Sequence, residues 1–373
     1  MVTPLTLGHA SAEGTERHAS RWPNHARSQQ CGLSLSVLGH GLRVDAWGTR
    51  KEDDLVHALR SSLAHGINVI ETSPVASGRR AEILVGRGLA AAIEVGDVPR
   101  DEVVVITKVG FPSIDHEMFT SPSEVSDYLH SKWIDTGVTS PEEWVEGQCF
   151  SSEFIEASIH ASRLALGLAT IDVVLIDMPE HMVISGRPPS ALRHRMRQVA
   201  VCMEQLVDKG LIVHWGASTW DGFRQPSVAD LHHPLDWFIS AAESTSNSGR
   251  SVSHHFSWVS APFNLGMSEA LMRPIDSGAN LSHEVQKHGL GWLVTAPLMH
   301  GHLTERLPLD VLEFLGSDHS AAIASLHFAV SVPGGTLAIV GMGSPDHVSE
   351  NILVLCEEPL PQQNLIAAVE KSS

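Results

Sequence analysis

The sequence predicts a single closed barrel of alternating strands and helices, an (α/β)8 or TIM barrel, with an N-terminal extension and a long insertion after the third strand. Three observations carry this. Short apolar runs alternate with amphipathic stretches about eight times between Leu33 and Val354, and a repeated β-then-α order forces the strands parallel. No linker divides the chain. Two early apolar runs end in polar residues, Glu71-Thr72 and Thr107-Lys108, as parallel strands do when only their C-terminal ends reach a cavity. Strand order cannot be read from spacing, so an open doubly wound sheet is the alternative.

Residues 1–32 are polar and aperiodic and read as an extension, flexible or available for docking, ahead of one barrel domain over 33–373. The barrel opens with a strand over 33–38, a helix over 52–64 and a strand over 68–72. A helix over 79–94 follows, with Ile83, Leu84, Leu89, Ala90 and Ile93 at amphipathic spacing, then a strand over 103–107. Residues 111–150 hold no period, include Pro112, Pro122 and Pro141, and are too long for a βα loop; they read as an insertion. Ser151 then caps a helix running to Leu166. A strand over 173–176, a helix over 192–209 stopped by Gly210, and a strand over 211–218 come next. Strands over 256–261, 291–294 and 336–340 and helices over 321–330 and 345–354 complete the series.

Composition narrows the function classes. No apolar run reaches the roughly 20 residues of a membrane helix, so membrane insertion is not expected. A formal charge of −18 argues against binding nucleic acid, which depends on clustered Lys and Arg. Cys31, Cys149, Cys202 and Cys356 lie far apart with no CxxC pair. Among 23 histidines the adjacent pairs His232-His233 and His254-His255 lack the His-x-x-x-His spacing that puts two ligands on one helix face, and no metal site is expected. Arg17, Arg21 and Arg27 offset by Glu13 and Glu16 make a poor presequence; a cytoplasmic location is expected, with a mitochondrial one left open.

The residues also form an ordered series: Gly66-Ile67-Asn68-Val69-Ile70-Glu71-Thr72-Ser73-Pro74, Ile106-Thr107-Lys108, Leu164-Ala165-Leu166-Gly167, Lys209-Gly210-Leu211 before Gly216-Ala217-Ser218, Pro297-Leu298 with Gly301, and Gly341 with Ser344-Pro345 and Glu350-Asn351. This series resembles the aldo-keto reductases over residues 33 to 355. The insertion, ending in Cys149 and followed by Met178-Pro179-Glu180 after the fourth strand, is similar to that of one subgroup. The resemblance implies an (α/β)8 barrel, NADPH-dependent carbonyl or aldose reduction, and a tetrad of Asp, Tyr, Lys and His at the barrel mouth.

Position by position, the resemblance places Glu71 where the family has Asp, Ala76 where it has Tyr, and Asp177 where it has His; Lys108 matches. The family's acid is a phenol whose pKa a neighbouring ammonium lowers, and Ala76 has no proton to give. Glu71, Lys108 and Asp177 are expected to form an ion network with both acids ionised. Tyr128, in the insertion, and His181 are the other candidates for an acid. At the cofactor positions the resemblance places Ser218, Thr219, Ser260, Pro297, Leu298, Gly341, Ser344, Glu350 and Asn351, with Thr295 where an aromatic stacks on nicotinamide. Binding of NADPH or NADH is expected to be weak or absent. Two readings follow. In one, the protein is a catalytically impaired relative serving as a structural, regulatory or complex-associated subunit, with the extension or insertion 111–150 docking a partner protein. In the other, it is an NAD(P)H-dependent oxidoreductase reducing a carbonyl or aldose with a rearranged site.

Overall fold

The computed structural model describes residues 4–44, 51–75, 77–184, 189–225, 235–245, 254–275, 278–305, 307–315 and 320–372. Its strands in chain order are β1 Arg27–Gln30, β2 Leu33–Ser36, β3 Leu38–Gly41, β4 Val69–Glu71, β5 Val104–Val109, β6 Trp144–Val145, β7 Gln148–Cys149, β8 Ile171–Asp177, β9 Ile212–Ser218, β10 Phe256–Pro262, β11 Gly291–Thr295 and β12 Gly335–Gly341. Eight of these close a barrel in the order β10-β11-β12-β3-β4-β5-β8-β9, each pair parallel. Closure excludes the open sheet. Helices over Glu52–Ala64, Arg80–Glu94, Ser152–Leu166, Pro189–Asp208 and Ala321–Val330 surround it, close to the ranges that periodicity predicts.

The first strand needs correction. The run from Leu33 is broken at Val37: β2 pairs antiparallel with β1, and only β3 enters the barrel. The extension carries a helix and a hairpin strand of its own. Ser11 caps a helix over Ala12–Ser20 by accepting from the Gly14 amide, and Arg17 and Arg21 bind the buried Glu102 on the barrel. The segment hides its purpose in sequence because its burial is polar: Thr15 and His18 are buried, and the Ala10 amide donates to Asp172 at 2.6 Å. It floors the barrel, where Ala10, Leu33 and Leu35 pack against Val104, Val173, Leu293 and Leu337 in the lumen.

Trp258 fills that lumen, and glycines make room for it. A Cβ on Gly216 would lie 2.0 Å from the Trp258 carbonyl oxygen, and one on Gly291 would lie 2.6 Å from its ring. The insertion is also ordered where sequence shows no period. It holds a helix over Pro122–Leu129 capped by Ser121, one turn of π-helix over His130–Ile134, and the β6–β7 hairpin, elements too short to leave a periodic trace. Trp133, Val145, Cys149 and Phe150 bury it against the barrel.

Candidate active site

The C-terminal ends of β4, β5, β8 and β9 bring Glu71, Lys108, Asp177 and Ser218 to one face, with Glu71 in register with Ile106 and Asp177 with Ser218. Lys108 Nζ lies 2.9 Å from Glu71 Oε1, and both side chains are largely buried. Burial works to lower the Lys108 pKa, but Glu71 and Asp177 outweigh it and hold the ammonium above the ordinary lysine value. Asp177 is pulled in the acid's direction by burial. Burial raises its pKa, Lys108 opposes without cancelling, and the nearby Glu71 adds to the rise. The second carboxyl of the cluster thus holds its proton more tightly than a free aspartate does. Ala76 lies outside the described residues.

Of the other acid candidates, Tyr128 sits in the insertion, while His181 lies near enough to Asp177 to oppose the rise in its pKa. Tyr128 lines a pocket of about 250 Å³ with Gly78, Arg79, Ser113, Asp115, Phe119 and Lys132. Its phenol oxygen accepts from Lys132 Nζ at 3.1 Å, and its ring tilts against Phe119. His181 opens the short helix His181–Ile184 with its ring edge-on to Phe111.

Gln148, Trp220 and His300 at this face escaped the sequence reading, and Glu180 entered it only as part of the Met178-Pro179-Glu180 run. Gln148 on β7 is buried and donates through Nε2 to the carbonyls of Asp177 and Met178, each at 3.0 Å. It braces a strained step, since Met178 has φ +47° without being glycine. Glu180 accepts from the Trp220 amide at 2.6 Å and the Asp221 amide at 3.2 Å, while its Oε2 is buried without a hydrogen-bond partner. Burial dominates and pushes its pKa to about 7, Asp177 adding to the rise. Trp220 stacks on His300 with ring centroids 5.8 Å apart, joining the loops after β9 and β11. Gln148 directly precedes Cys149, and Glu180 sits three residues past Asp177; neighbourhood to a strand end was the signal.

The cofactor positions divide into two ends. At the nicotinamide end, Ser218 Oγ meets Ser260 Oγ at 3.5 Å, and Thr219 Oγ1 is taken by the Phe223 amide at 3.2 Å. Thr295 offers no ring at the position where the resemblance places a stacking aromatic. At the other end Gly341 is exposed, and a Cβ there would find only the Gly41 carbonyl at 3.8 Å, leaving room for a phosphate. Ser344 caps the helix over Pro345–Asn351, Glu350 accepts from Ser320 at 2.7 Å, and Asn351 is buried. Pro297 is buried and Leu298 half-buried in the β11 loop.

The described helices include none long and apolar enough to cross a membrane. By fold the chain is similar to the glycerol dehydrogenase of Gluconobacter oxydans, at 17% identity over 93% of this chain and 94% of that one, with a TM-score of 0.61. It is also similar to an aldo-keto reductase from Klebsiella pneumoniae in complex with NADPH, at 17% identity over 93% and 95% of the two chains, TM-score 0.60. In sequence, 81 residues are 37% identical to L-galactose dehydrogenase of Arabidopsis thaliana; the match spans 21% of this chain and 24% of that protein. The aldo/keto reductase family model matches residues 37–372, from the first barrel strand through the C-terminal helix, and the chain belongs to the aldo/keto reductase family.

Proposed function

We propose that this aldo/keto reductase barrel is impaired in carbonyl reduction and acts as a structural, regulatory or complex-associated protein. The observation that supports this best is the placement of its phenol. The chain has one tyrosine, and Tyr128 gives its oxygen to Lys132 in the insertion rather than to Lys108. Lys108 itself is committed to Glu71. Nucleotide binding in this reading is weak and rests on the phosphate end at Gly341, Ser344, Glu350 and Asn351. Because the N-terminal segment is spent on the barrel floor, the insertion over 111–150, where Met118 is 71% exposed, is the face offered to a partner protein.

One observation favours a second reading, an NAD(P)H-dependent oxidoreductase acting on a carbonyl or aldose. Asp177 is buried beside Lys108 with a raised pKa, and a carboxylic acid there could protonate a developing alkoxide as the absent phenol does in the family. Titrating NADPH and NADH by nicotinamide fluorescence, followed by aldehyde turnover, separates the two. Binding without turnover, or no binding, agrees with the first reading. Turnover that Asp177→Asn and Lys108→Met abolish, and that Tyr128→Phe leaves intact, overturns it in favour of the second.

A further inference from the structure

A second cluster lies away from the barrel mouth, on the helices over Leu235–Glu243 and Leu281–His288, which lead into β10 and β11. Glu284 and His288 stand four residues apart on one helix face, the spacing that lets two side chains reach one ion. His288 Nε2 lies 3.4 Å from Glu284 Oε2 and 3.9 Å from Asp236 Oδ1 on the neighbouring helix. The ring is a quarter exposed, but Nε2 itself is shut off from solvent and has no hydrogen-bond partner. A neutral imidazole nitrogen in that position turns a lone pair toward two carboxylates, which repels, and a protonated one gains their charge without a hydrogen bond. A cation between the three donors removes the repulsion and uses the unpartnered nitrogen.

We propose that Asp236, Glu284 and His288 form a binding site for a divalent transition-metal ion of the zinc type. The three donor atoms lie within 4.8 Å of one another. Ligands held ~2.0 Å from a tetrahedral zinc sit ~3.3 Å apart, so the site closes with an adjustment of at most ~1.5 Å in any donor pair, most of it available from the exposed Asp236. One imidazole with two carboxylates is a donor set that zinc accepts, with water completing the tetrahedron. Lys287 Nζ rests 2.9 Å from the same Glu284 oxygen and is half exposed, so the ammonium is a displaceable competitor for the ion. The ion clamps the two helices together. Glu284 and His288 share the four-residue spacing that the paired histidines lack.

Isothermal titration of Zn²⁺ into the full-length chain, stripped with chelator, tests this. The expected result is one ion per chain, with affinity falling roughly tenfold or more in His288→Ala and in Asp236→Asn, and rising in Lys287→Ala as the competing charge goes. Asp236 is exposed, so its variant keeps the fold, and circular dichroism checks both losses. Substituted Co²⁺ should show the intense visible bands of a tetrahedral site in the wild type and lose them in both variants. No binding to the wild type, or equal zinc affinity in His288→Ala because other histidines hold the ion, overturns the proposal.

Discussion

At the scale of single residues, the mouth shows how burial redirects acid–base behaviour. Lys108 and Glu71 were legible because each follows an apolar run, and their ion pair follows from adjacent strands. The upward shift of the Asp177 pKa was not, because it depends on how far burial outweighs one ammonium, a balance of depth and distance that sequence does not carry. Glu180 gives the sharper test. Its folded pKa of about 7 lies above the ordinary 4.5, so the folded state holds this proton more tightly than the unfolded one. Its favourable term is therefore complete below pH 4.5 and declines as pH rises through 7. Glu180→Gln keeps an acceptor for the Trp220 amide and should flatten urea-derived stability across that window, gaining ~3 kcal/mol over the parent at pH 8. Parallel pH profiles for parent and variant would refute the buried acid.

Elements carry a different lesson, because length decides what sequence can announce. Long amphipathic helices such as Arg80–Glu94 and Ser152–Leu166 were placed within a residue, whereas the Ala12–Ser20 helix was missed since its buried face is Gly14, Thr15 and His18. His18 anchors that helix in neutral form. Burial, with Arg27 and Arg21 nearby, lowers its pKa to about 3, so the unfolded chain binds the proton better and stability is lost as pH falls below 6.5. His18→Gln should remove part of the drop between pH 6.5 and 3, measured by chemical denaturation; an unchanged acid limb would locate the loss in other groups, such as the buried His40. In β9 the test is steric. Gly216→Ala drives a methyl against the Trp258 carbonyl and is expected to cost ~3 kcal/mol or more, or to leave the protein insoluble. A loss under ~1 kcal/mol in urea would mean the lumen yields more readily than its packing implies.

For the molecule as a whole, the barrel was legible because eight repetitions of one pattern reinforce each other, and because closure leaves no strand edge to satisfy. The floor was not, since its contacts join residues far apart in sequence. The Ala26 amide donates to the Leu355 carbonyl, and Gln30 reaches the carbonyls of Ser257 and Gly289. That wiring bears on the order in which the molecule can be assembled during synthesis. The segment around Ala26 leaves the ribosome roughly three hundred residues ahead of the acceptor it needs at Leu355. While it waits, Leu33 and Leu35 have no lumen to plug, so a segment made ahead of the barrel is among the last to be seated.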